Sequence, residues 1–186
     1  RRWASPGRPP RPGSFANLAN RQQAEVVWSG WSGGGVPATV IAGLAPGEVF
    51  VHRDVAKVVQ YYDMNLMSVL EFAVDRLKVR QSIVCGHYGC GGVHAATEEN
   101  MPHGLADHWL EPIRRLAKRH VHELGAINDP AMRRDRLAEL NVLESVARVS
   151  ETPILRRAWA KGEYPRLHGL IYGIRAGILR NLACPI

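Results

Sequence analysis

Short apolar runs alternate along this chain with longer stretches whose apolar positions recur every three or four residues. Val26–Trp28, Val49–Val51, Ile83–Cys85 and Leu167–Ile171 are the short runs, bounded by glycine, serine or charged residues. They predict buried strands. Between the second and third runs, Leu66, Val69, Leu70, Ala73, Val74 and Leu77 form one apolar face of a helix starting near Asn65. A helical stretch from Leu105 to Leu124 carries Trp109, Ile113, Leu116 and Leu124 among basic residues. Asp129-Pro130 then supplies an N-cap and a proline for the first helical position, opening a helix that buries Leu137, Leu140, Leu143, Val146 and Val149. A short helix over Ile154–Ala160 follows, and residues 173–182 read as a terminal helix. Strands alternating with amphipathic helices predict an α/β fold with a mostly parallel sheet of four to five strands, covered on both faces.

Two stretches interrupt this rhythm. Ser29-Gly-Trp-Ser-Gly-Gly-Gly35 holds four glycines in seven residues and reads as a loop. The run Ile83-Val-Cys-Gly-His-Tyr-Gly-Cys-Gly-Gly-Val-His94 goes from strand through a glycine turn into an alanine-rich, helix-compatible segment. That order places side chains at the carboxyl end of a parallel sheet, where open α/β folds bind ligands. His87 and Cys90 are delivered there, an imidazole and a thiol three residues apart, both suited to Zn²⁺.

Composition sharpens the outline. A chain of 186 residues with 46% hydrophobic and 22% charged residues suits one globular domain with a substantial core. No apolar run approaches the ~20 residues of a membrane span, so no membrane partner is expected. The formal charge is +7, but Arg1, Arg2, Arg8 and Arg11 fall within residues 1–13, which hold no acid. The remainder carries 20 basic against 17 acidic groups. With no recognisable nucleic-acid module, nucleic acid is not an expected partner. Residues 1–13, rich in arginine and proline, read as a flexible arm, with an organellar targeting remnant as the alternative; residues 14–186 read as a single domain. Cys85, Cys90 and Cys184 make no disulfide framework, which points to a reducing compartment, the cytoplasm first.

Val-Cys-Gly-His-Tyr-Gly-Cys-Gly-Gly-Val, preceded by Gly47-Glu-Val-Phe-Val-His-Arg53, resembles the β-class carbonic anhydrases of bacterial type. Glu71-Phe-Ala-Val-Asp-Arg-Leu-Lys78, Glu139-Leu-Asn-Val-Leu-Glu144 and His168-Gly-Leu-Ile-Tyr-Gly173 fit the family in its order and spacing. The resemblance covers roughly residues 14 to 182. It implies zinc-dependent, reversible hydration of CO₂ to bicarbonate and a proton. It also implies a homodimer or homotetramer, with an amino-terminal arm over a partner subunit. His87 and Cys90 correspond to two metal ligands. Trp28, Arg53 and Tyr172 correspond to a non-catalytic bicarbonate pocket of some members.

At the family's Cys-x-Asp-Ser-Arg motif, just before Val36-Pro37-Ala38, this chain departs. Trp31 stands at the position of the third protein ligand, Gly33 at the aspartate and Gly35 at the arginine. An indole N–H only donates hydrogen bonds, and glycine offers no side chain. Asp54 and Lys57 stand where asparagines are usual, and Leu170 where tryptophan is common. His94, Glu98, His103 and His108 lie downstream as substitute ligands, with an exposed polar face as their commoner role. A catalytically inactive scaffold, or a bicarbonate-binding protein, is the alternative to the enzyme. A thiol-redox role is disfavoured, because Cys85 belongs to a strand and lies five positions before Cys90.

Overall fold

The computed structural model describes residues 24–33, 36–98 and 104–184. The expected arm at residues 1–13, Gly35 and His103 lie outside the described residues. Five strands form one sheet in the order β2-β1-β3-β4-β5, with β1 Val26–Trp31, β2 Val49–Asp54, β3 Gln81–His87, β4 Arg166–Gly173 and β5 Ile178–Asn181. The first four are mutually parallel, and β5 runs antiparallel along β4. This is the expected α/β architecture. No helix among the described residues is long and apolar enough to cross a membrane.

Strand alternation divides the core between the two faces of the sheet. Val84 of β3 and Ile171 of β4 join the larger apolar cluster with the helices α4 (Leu105–Arg119), α6 (Pro130–Glu151) and α7 (Pro153–Ala160). Trp28, Cys85 and Tyr172 cluster on the other face with Trp31 and with Ile41 of the short helix α1, Ala38–Ala42. Helix α2, Met64–Glu71, continues as a π-turn over Phe72–Arg76 and brings Ala73 against Val27. Its cap is Asp63, two residues before Asn65, the expected cap; Asp63 Oδ1 accepts from the amides of Asn65 and Leu66.

Helix α6 is the longest element among the described residues, and Asp129 caps it as expected by accepting from Ala131 N at 2.7 Å. It lies directly on β3. A Cβ on Gly86 would come within 2.6 Å of Val142, so only glycine permits that approach. Its buried face also carries Asn141 and Ser145, which the apolar pattern omits. Their side chains donate to the carbonyls of Ala56 and Lys57, a turn of 3-10 helix after β2 in which both residues have positive φ. Leu143, expected in the core, is half-buried instead.

Three expectations are corrected. Residues 29–31 are strand, because Ser29, Gly30 and Trp31 stay in parallel register with His52, Arg53 and Asp54. The helical stretch from Leu105 breaks at His120, and α5 runs over Val121–Gly125. Residues 173–182 form a hairpin instead of a terminal helix. Gly177 takes φ 66°, its N–H and that of Ala176 close a turn onto the carbonyl of Gly173, and β5 covers the free edge of β4. Ile174, Ile178 and Leu182 would also have lined one face of a helix, and pairing with the free edge of β4 decides for the strand.

Candidate functional site

The carboxyl end of β3 delivers His87, buried as the last strand residue. Its Nδ1–H donates to the carbonyl of Tyr88 at 2.9 Å. A carbonyl can only accept, so this bond fixes the tautomer and leaves Nε2 with its lone pair. Burial pushes the imidazole pKa below its ordinary value, against the raising pull of that carbonyl and of Asp135. The ring is therefore neutral at pH 7. Gly89 turns the chain at φ 67° and donates its N–H to Asp135 Oδ1 at 2.8 Å. The Tyr88 hydroxyl donates to Glu139 at 2.5 Å, so α6 holds the turn at two points. Cys90 then caps helix α3, Gly91–Ala96. Burial raises its thiol pKa, opposed by the amides of Val93 and Gly92. Cys85 lies wholly in the core, its thiol pushed up to about 12 by burial.

Facing this turn is the end of β1. The Trp31 indole lies 4.5 Å from the His87 ring, tilted by 38°, and stacks at 6.2 Å on Tyr172. Only 5% of Trp31 is exposed. Together with Ala56, Lys57, Gly86, Cys90 and Asn141 it closes the space beside His87 so tightly that no room for a water remains. Gly33 sits under the same ring. A Cβ there would lie 2.8 Å from Trp31 Cδ1, so a side chain at 33 requires the indole to move. Arg53 fastens this segment, donating Nε–H to the carbonyl of Trp31 and Nη2–H to that of Gly33, each at 2.8 Å.

Lys57 is fully buried, with Nζ 2.5 Å from Asp54 Oδ2. Burial pushes Asp54 up and Lys57 down, each against the pull of the other. The second carboxylate oxygen of Asp54 accepts from Val58 N at 3.0 Å. His52, also buried, lies 3.7 Å from Asp54 and hydrogen-bonds Ser29 at 3.2 Å. The sequence marks positions 54 and 57 as unusual; their opposite charges at i, i+3 are the signal that they form a pair. Nothing in the sequence indicates that the pair is buried beside Cys90.

The residues that match metal ligands do not fit a zinc ion here. The described residues hold no group of three His, Cys, Asp or Glu able to bind one. The third position carries an indole, against three protein ligands in an ordinary catalytic zinc site. Of the substitutes, His94 pairs with Glu98 at 3.4 Å on an exposed face, and His108 is exposed on α4. The bicarbonate-pocket positions divide between two places. Trp28 and Arg53 line a narrow pocket with Trp31, Val36, Ile41 and Val51. Tyr172 lies on β4 against Trp31.

A family profile described as carbonic anhydrase matches residues 28–179. A carbonic anhydrase of Emericella nidulans is 41% identical over 183 residues, covering 98% of this chain and 79% of that protein. One from Candida albicans is 36% identical over 88% of this chain, which spans 58% of that relative's length. Among solved structures, one of two tetrameric β-carbonic anhydrases from Sordaria macrospora superposes with a TM-score of 0.89 at 38% identity. That match covers 94% of this chain and 88% of the other. A Coccomyxa β-carbonic anhydrase in complex with acetazolamide gives 0.89 at 33% identity, covering 95% and 79%.

Proposed function

The chain belongs to the β-class carbonic anhydrases, and from that membership we propose that it keeps the family's frame for CO₂ and bicarbonate while its zinc-dependent hydration is silent. One observation carries this reading: the Trp31 ring fills the space beside His87 where a third ligand would have to reach. Hydration by a zinc site requires a firmly held ion that lowers the pKa of bound water to about 7. His87 and Cys90 alone give too few donors for that. The chain's remaining role is then binding. Of the positions Trp28, Arg53 and Tyr172, the first two share a pocket, and bicarbonate there is supported by the guanidinium fork, which matches a planar oxyanion. It would have to compete with the carbonyls of Trp31 and Gly33 that Arg53 now holds. Arg53→Ala should abolish weak bicarbonate binding, measured by calorimetry.

A second reading, zinc-dependent reversible CO₂ hydration, is favoured by the turn that keeps His87 and Cys90 together with the His87 Nε2 lone pair free. Zinc content and stopped-flow CO₂ hydration decide between the two. The silent reading expects near-zero metal per chain and background turnover. Trp31→Cys, Gly33→Asp and Gly35→Arg combined should recover both, and any one alone should not, because such a site acts as a unit. Full zinc with family-level turnover in the unaltered chain would overturn the silent reading. Assembly as a homodimer or homotetramer is supported by the tetrameric relatives and by exposed Val51 and Val55 along the β2 edge. Unpaired cysteines among the described residues are consistent with a reducing, cytoplasmic setting.

A further inference from the structure

A separate cleft of about 440 Å³ opens on the outer side of Cys90, between the start of α6 and the β4–β5 hairpin. Its polar wall is basic. Arg134 comes from α6, Arg175 from the hairpin turn and Arg180 from β5, with His94 at the rim. The one carboxylate in the lining, Asp135, already accepts the Gly89 N–H at 2.8 Å. Arg180 faces the Tyr88 hydroxyl. Among the described residues neither Arg134 nor Arg175 has an ion-pair partner. Arg136, Arg148 and Arg157 elsewhere on the surface each pair with a carboxylate. Ile174, Ala176, Ile178 and Ala131 complete the lining with apolar surface.

We propose that this cleft binds a small organic phosphate. Three guanidiniums against one committed carboxylate leave an excess of positive charge in a concave site, where like charges repel until a counter-charge enters. A ligand carrying two or more negative charges supplies it. Guanidinium forks match phosphate oxygens in pairs. Bicarbonate, singly charged and small, would leave most of the cleft and most of its charge unused. The volume falls within the roughly 300–1,000 Å³ typical of small-molecule sites, and Ile174 and Ile178 in the lining give an uncharged moiety apolar surface to cover. This site shares Cys90 with the closed space beside His87 but uses neither Trp31 nor His87. It therefore stands whether or not zinc is held.

The test is calorimetric titration of the full chain at low salt with pyrophosphate, adenosine diphosphate and, as a neutral control, adenosine. Arg134→Gln/Arg175→Gln serves as the variant, with its melting temperature as a check on folding. Both anions should bind saturably, adenosine should not, and the variant should lose at least about ten-fold in affinity, the loss expected for charge-assisted bonds. Raising ionic strength should weaken binding in the unaltered chain. Absence of saturable binding by either anion at millimolar concentration overturns the proposal. So does equal affinity in the well-folded variant. A variant that changes the light-scattering mass with no change in anion affinity would assign the arginines to a contact between copies and overturn it too.

Discussion

Two regions of this molecule face each other across the carboxyl end of the sheet and have been treated differently. The turn from His87 to Cys90 is held from outside. Asp135 and Glu139 of α6 hold its backbone and Tyr88, and Gly92 is pressed so close to Ala56 that a Cβ would come within 2.6 Å. The end of β1 is held from inside, by the Trp31 ring lying against His87 and Tyr172 and by Arg53 gripping two carbonyls. The first arrangement needs particular residues to keep the fold. The second needs only that the space be filled. Packing and metal chemistry are thus separable at this site: an indole satisfies the core while supplying no ligand.

That contrast can be broken most forcefully at Lys57, whose charge lies beside both regions. Lys57→Met leaves Asp54 buried without its lysine counter-charge, and should cost about 3–5 kcal/mol. Adding Asp54→Asn should return most of that loss in urea unfolding. If the single change were neutral, the buried pair would not be the strut between the two regions.

Next comes Trp31 itself. Trp31→Ala should lower stability by about 3 kcal/mol, the low end for removing a buried indole, because the adjoining segment can partly collapse. His87→Ala should cost less than Trp31→Ala. The reverse order, read from denaturant midpoints, would show that the imidazole and not the indole carries the packing.

A smaller effect tests the retained turn. Gly92→Ala pushes a methyl into Ala56, whose carbonyl Asn141 anchors at 2.9 Å, so the neighbour cannot easily yield. Overpacking of this kind costs about 1–3 kcal/mol. Gly91→Ala, with no heavy atom within 4 Å of its Cβ position, should be close to neutral and is the control.

The smallest effect is on pH dependence. Burial lowers the pKa of both His52 and His87 below the ordinary 6.5. Below that value the unfolded chain takes up protons that the folded chain refuses. Their contribution to stability is therefore present above pH 6.5 and lost as the pH falls, at most about 1.4 kcal/mol per pH unit for each ring. His52→Gln should flatten the decline between pH 7 and pH 5. An unchanged slope would mean that this imidazole titrates alike in both states.

The apolar rhythm of the sequence was enough to place β1, β2, β3 and β4, their mostly parallel arrangement and the long capped helix α6. Each rests on local information: period, caps and turn residues. The terminal hairpin was not legible, because Ile174 and Ile178 suit a helix as well as a strand; the free edge of β4 decided it. The extension of β1 to Trp31 was likewise settled by pairing with β2, against the turn preference of its glycine-rich sequence. At the site, the sequence alone established which ligand-bearing residues are present and which are missing, since that is a matter of identity. Only the tertiary structure decided what occupies the space they leave. Where the Trp31 ring lies, that Lys57 is buried against Asp54, and that Arg134, Arg175 and Arg180 meet at one cleft all depend on residues far apart in the chain being brought together by the sheet. No local pattern encodes such meetings, because each is set by the packing of whole elements.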